Sequence, residues 1–89
     1  MRASSEIVVA LPASIALHAR PAATFVKTAM RFRSKVTVAV EGKVADEKSI
    51  LAVLALGATG GTVLRLNAEG DDESAALDAL AACVSGLTD

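Results

Sequence analysis

The stretch SIALHARPAATFVKT, residues 14–28, holds the only histidine of the 89-residue chain. His18 stands just ahead of a run with helical periodicity, so Ala19, Arg20 and Pro21 form the first turn of a helix. Proline is tolerated there because first-turn N–H groups have no intrahelical acceptor. The remaining free amides and the positive end of the helix dipole make an anion site, and Arg20 sets a planar guanidinium beside it. An imidazole in this position is a nucleophile facing a cradle that fits a phosphate group. A histidine that merely caps the helix gives the same local pattern, and the residue chemistry alone leaves both readings open.

Ser49 is a good helix N-cap and Gly57 a good stop, and ILAVLAL between them is too apolar for an ordinary surface helix. At about 100° per residue, Val53 and Leu56 point one way, Leu51 and Leu54 another, and Ile50 sits between them. One core cannot take all five, so part of this segment is expected to stay exposed as a partner surface. Cys83 lies beside the helical stripe of Leu80 and Val84 and reads as a buried apolar filler. As the only cysteine it rules out an intrachain disulfide, and one His with one Cys rules out a structural zinc site. The run Asp71, Asp72, Glu73 reads as helix capping, because sequential carboxylates lack the loop geometry of a metal site. No metal and no cofactor is expected.

Positioning these residues requires a scaffold, and the periodicities supply one. Residues 7–11 form an apolar run with β-branched side chains, closed by Pro12, which predicts a strand. From Ala19 the period changes: Ala22, Phe25, Val26, Ala29 and Met30 recur on one side of a helix of about three turns, with Thr24, Lys27 and Arg31 on the other. Val36, Val38 and Val40 then alternate with Thr37 and Ala39, Gly42 turns the chain, and a short return strand follows from Lys43 to Asp46. Residues 62–68 alternate again, with Leu64 and Leu66 facing one way and Arg65 and Asn67 the other. After Gly70, Leu77, Leu80, Val84 and Leu87 mark one stripe of a last helix. The order β-α-β-β-α-β-α predicts an α+β sandwich, an antiparallel sheet covered by helices on one side.

Composition narrows the function classes. The chain is 53% apolar, has two Phe and neither Trp nor Tyr, and carries a formal net charge of -1. Aromatic stacking of bases is therefore nearly excluded, and no electrostatic footprint for nucleic acid or an anionic membrane exists. A small-molecule or protein partner fits better. GATG, residues 57–60, matches the G-x-x-G of KH RNA-binding modules, yet it contains no Lys or Arg and runs into a strand rather than a helix. A regulatory or interaction domain with an idle His18 is the other alternative. Arg2 and the apolar stretch behind it resemble an export signal, but Glu6 and Pro12 interrupt the run and cleavage would remove a strand. A cytoplasmic location is expected.

LHARPAATFVKTA followed by GKVADEKSILAVLALG resembles the histidine-containing phosphocarrier (HPr) family of the bacterial phosphoenolpyruvate:sugar phosphotransferase system. The resemblance covers nearly the whole chain in the same element order. It implies an open-faced β-sandwich, a four-stranded antiparallel sheet with three helices on one face, as a single domain over residues 1–89. It also implies a stoichiometric phosphocarrier rather than a free-standing enzyme. The residue matching His18 accepts a phosphoryl group on Nδ1 from enzyme I and gives it to IIA proteins in sugar uptake or regulation, and the residue matching Arg20 accompanies the phosphorylated ring. Ser49 matches a serine that a dedicated kinase modifies in some lineages, with a phosphorylase as its counterpart. Ala19, Ala23, Lys27, Ile50, Leu51 and Leu54 fall on the partner-docking face of a monomer that neither binds nucleic acid nor inserts in membranes. Two departures stand out. Ala16 replaces the usual glycine before the Leu-His pair, in a connection that is slightly longer, which puts the loop path in question. Met30 and Ala52 stand where relatives often carry lysine, so docking is expected to lean on apolar contact.

Overall fold

The computed structural model describes residues 5–87; the ends of the 1–89 unit, Arg2 included, lie outside the described residues. The elements are β1 (Ser5–Ala10), α1 (Ala19–Ala29), β2 (Lys35–Val40), β3 (Lys43–Asp46), α2 (Ile50–Ala55), β4 (Val63–Glu69) and α3 (Glu73–Ser85). Alternation of β-branched and polar residues produces an antiparallel sheet in the order β1-β4-β2-β3. Val36, Val38, Leu64, Leu66 and Ala68 lie on the helix-covered face and are wholly buried, whereas Val8, Val44 and Val63 are exposed. The fold is the expected α+β open-faced sandwich. Strand boundaries move by a residue or two: β1 ends at Ala10, although the Leu11 amide still donates to the Thr62 carbonyl at 2.9 Å.

The β2–β3 hairpin pairs Val40 with Lys43 across a two-residue turn, Glu41 (φ 49°) and Gly42 (φ 85°). Both turn residues take positive φ, as the twist of adjacent strands favours. The helices close the other side of the core. Ala22, Phe25 and Ala29 of α1 are wholly buried, as are Ala76, Leu80 and Val84 of α3. Met30 departs from the sequence reading. It follows the last residue of α1, at the margin of the apolar stripe, and is 64% exposed. Cys83 also departs: it is only half-buried, at the groove between α1 and α3, with the Thr28 hydroxyl 3.5 Å from its sulfur.

The acidic run does not cap α3 as expected. Asp72 occupies the N-cap position, but its side chain makes no cap hydrogen bond. It instead accepts the Arg33 amide at 2.8 Å, the Ser34 amide at 2.9 Å and the Ser34 hydroxyl, tying α3 to the end of the α1–β2 connection. Gly70 lies against the same point, where an added Cβ would stand 2.6 Å from Ser34 Oγ. Buried Glu73 accepts from the Ser5 hydroxyl and, at 3.4 Å, from the Gly70 amide. The Ser34 hydroxyl first, and then the Arg33 amide, hold the Asp72 carboxyl down at about 2 from an ordinary 3.8. Because the folded-state value is the lower one, this stabilisation is complete above the ordinary value and disappears as pH falls from there through about 2. Chemical denaturation at pH 5 and pH 2 is expected to show a smaller acid loss for Asp72→Asn than for the parent chain. Equal losses would mean that the carboxylate does not tie the two segments.

Candidate functional site

The loop before α1 alternates as a strand does. Ile15 and Leu17 are buried anchors, while Ala16 is half-buried and His18 exposed. The Leu17 amide donates to the Ala58 carbonyl at 3.0 Å, just beyond Gly57, whose φ of +64° turns the chain at the end of α2. Gly60 backs the same loop. A Cβ there would stand 2.0 Å from the Ala13 carbonyl oxygen, so this position has room only for glycine. The GATG stretch is therefore a brace between α2 and β4 that holds the histidine loop, and it lacks the following helix of a KH module. Ala16 adopts no positive φ, because Glu41 is the only described non-glycine residue that does. Its carbonyl accepts the His18 amide at 2.9 Å, so alanine meets no strain here.

His18 is the N-cap of α1 by backbone, extended at φ −85° and ψ −171°, and its carbonyl accepts the Ala22 amide at 2.8 Å. Its ring makes no cap bond and is free to face solvent. Among the described residues, the Ala19 and Arg20 amides donate to no acceptor, and Pro21 has no N–H to offer. The exposed Arg20 side chain lines the shallow groove between α1 and α3 together with Thr24, Thr28 and Arg31. The Thr24 and Thr28 hydroxyls turn inward to the Arg20 and Thr24 carbonyls, at 3.2 and 2.9 Å. One solvent-facing imidazole and two undirected amides thus meet at a single helix start, with the Arg20 side chain on the adjoining α1–α3 groove. This set can receive a dianion.

On α2, Ser49 caps the helix as its sequence position suggests, accepting the Ala52 amide on its hydroxyl at 3.3 Å. Val53 and Leu56 are buried, Leu51 is 77% exposed and Ile50 is exposed, with Leu54 and Ala52 partly covered. The division between inward and outward residues follows the helical angles, and α2 packs against α1. On α1, Ala19 and Lys27 are exposed and Ala23 is half-buried. The candidate docking residues therefore occupy two adjoining helices next to His18. A broad concavity over the open sheet face, lined by Thr37, Ala39, Val44, Val63 and Arg65, contains none of the candidate site residues.

Sequence reasoning missed Glu47, a fully buried carboxylate two residues before Ser49. The signal was present: the inward alternation of β3 continues through Ala45 to position 47.

Comparison with known proteins identifies a family and a shared fold. Residues 4–85 match the PTS-HPr family, described as the PTS HPr component phosphorylation site. The chain is 45% identical over 75 residues to the phosphocarrier protein HPr of Haemophilus influenzae, covering 84% of this chain and 88% of that one. The crystal structure of a phosphocarrier protein HPr from Bacillus anthracis superposes with a TM-score of 0.88 at 36% identity, over 92% of this chain and 98% of the other. An HPr dimer from Thermoanaerobacter tengcongensis gives a TM-score of 0.74 at 46% identity, over 78% and 79% of the two chains.

Proposed function

Because this chain belongs to the HPr family of phosphotransferase-system phosphocarriers, we propose that it accepts a phosphoryl group on His18 Nδ1 from phosphorylated enzyme I and passes it to IIA proteins. The observation that carries this reading is the exposed, uncommitted His18 ring beside the free Ala19 and Arg20 amides. The Nδ1 lone pair attacks phosphorus as the bond from phosphorus to the donor group of enzyme I breaks, and the ring proton resides on Nε2. Arg20 and the amides hold the three phosphoryl oxygens in line. The chain offers one nucleophile and one cation, and its partners complete the site. It acts as one domain, a stoichiometric monomeric intermediate in the cytoplasm, with neither metal nor cofactor of its own. Among the described residues no helix is long and apolar enough to cross a membrane. A coupled assay tests the reading: phosphoenolpyruvate, Mg²⁺ and enzyme I should label a IIA protein only when this chain is present. Label reaching the IIA protein equally well without it would refute the carrier role.

Ala19, Ala23 and Lys27 on α1, with Ile50, Leu51 and Leu54 on α2, form the proposed docking face, and Ser49 is its regulatory position for a serine kinase and phosphorylase. A phosphate there adds about -1.5 to -2 charges at a helix start that tolerates them, but sets that charge beside apolar residues a partner must bury. Ser49→Asp and Leu51→Ala are each expected to stay folded and to weaken enzyme I binding by about tenfold, a loss typical of a contact at the centre of an interface. Titration calorimetry reads the affinity and thermal melting the fold. Unchanged affinity in both variants would place docking elsewhere and leave Ser49 as a cap.

A further inference from the structure

Glu47 follows β3 into the core: Ala45 and Glu47 are buried and Asp46 between them is exposed. Its amide is fixed to the Val36 carbonyl at 3.0 Å, its side chain is 0% exposed, and neither carboxylate oxygen has a hydrogen-bond partner. A buried carboxyl without partners survives only in its neutral form. Among the described residues, no cation compensates it. Lys48 Nζ donates to the Phe32 carbonyl at 2.7 Å, and among the described residues the charge that acts on Glu47 is Asp46, of the same sign. The β2 strand meets it through Val36, while Lys35 of that strand is exposed, and α2 (ILAVLA) carries no charge. The segment it anchors is short: Asp46 accepts the Ser49 and Lys48 amides, and Ser49 then caps α2.

We propose that the β3–α2 connection, residues 47–49, is a proton-controlled hinge. Protonated Glu47 seats it in the core, and loss of that proton expels the carboxylate, unfastening the Ser49 cap and the first turn of α2. The alternative, an ionised carboxylate left in place among apolar side chains, costs more than breaking the few hydrogen bonds of a six-residue helix start. Burial, and secondarily Asp46, pushes the seated carboxyl up to about 9 from 4.5. Between those values each pH unit raises the open population by about tenfold, because the open form releases a proton that the seated form retains. On the docking role proposed above, this motion couples partner affinity to pH; the hinge itself does not depend on that role.

Amide hydrogen exchange on the full chain between pH 5 and 8 tests the hinge, comparing the parent with Glu47→Gln and Glu47→Leu. Intrinsic exchange accelerates equally in all three, so the ratio of parent to variant isolates the opening. At the Glu47-segment reporters, the amides of Ser49 and Val53, this ratio is expected to climb by about tenfold per pH unit. The core amides of Leu66 and Leu80, which exchange only through global unfolding, should show the same slope but a far lower opening population, matching the urea-derived stability. A flat ratio at the reporters overturns the hinge, and so does a reporter opening population no larger than that of the core amides, which would mean that the reporters exchange only through global unfolding. The leucine variant keeps the comparison if the glutamine variant does not fold. Failure of both to fold also contradicts the proposal, since a neutral side chain of similar size at position 47 is expected to keep the segment seated.

Discussion

Phosphoryl acceptance is expected to fall to background in His18→Ala while the fold is retained. The ring is exposed and makes no cap hydrogen bond, so its removal costs the native state little. It is also the only imidazole in the chain, and no other side chain offers a nitrogen nucleophile at this helix start. Arg20→Ala separates nucleophile from electrostatics. Its guanidinium meets a dianion only after transfer, and one charge-assisted hydrogen-bonding group contributes roughly 1.5–3 kcal/mol, so transfer should slow by about ten- to a hundredfold. The melting temperature should not move. Rapid-quench transfer from phosphorylated enzyme I, together with thermal melts, measures both variants. Normal transfer with a lowered melting temperature in Arg20→Ala would mark that residue as structural.

Glu47→Gln is expected to stabilise the chain in proportion to pH. An acid whose folded-state pKa is raised contributes its full stability below the unfolded value, and that stability is lost as pH rises from 4.5 towards about 9. At pH 7 the parent must keep protonated a carboxyl that the unfolded chain ionises, which costs up to about 3 kcal/mol. Opening of the hinge limits that figure. The glutamine side chain is of equal size and cannot ionise, so the two proteins should unfold alike at pH 4.5 and diverge as pH rises. Urea denaturation across that range provides the comparison. A constant difference between them, or a variant that is less stable at pH 8, would show that Glu47 is not held neutral in the folded chain.

The parts of this molecule that follow from period and volume were legible in the sequence. Val36, Val38 and Val40 alternate because one face of β2 is covered, and Leu77, Leu80 and Val84 recur because α3 lies on that same core, with Leu87 buried just beyond its end. His18 and Ser49 could be placed because helix starts carry local chemical signatures. What stayed hidden depends on contacts between distant segments. Asp72 looks like a cap until Arg33 and Ser34 are brought to it. Met30 fits the helical stripe, but no neighbouring element extends far enough to cover it. Ala16 raised a question about φ that only the backbone path answers, and Glu47 reads as a surface residue unless the β3 alternation is carried past the end of the strand.

Locating the transferred group on the protein tests the central claim most directly. After incubation with phosphoenolpyruvate, Mg²⁺ and enzyme I, intact mass spectrometry counts the phosphoryl groups, and ³¹P–¹⁵N correlation identifies the atom that bears them. The account predicts one group, on Nδ1 of His18, lost within a brief mild-acid treatment because protonation of the ring makes imidazole a good leaving group. An acid-stable adduct, or one that persists in His18→Ala, would contradict it.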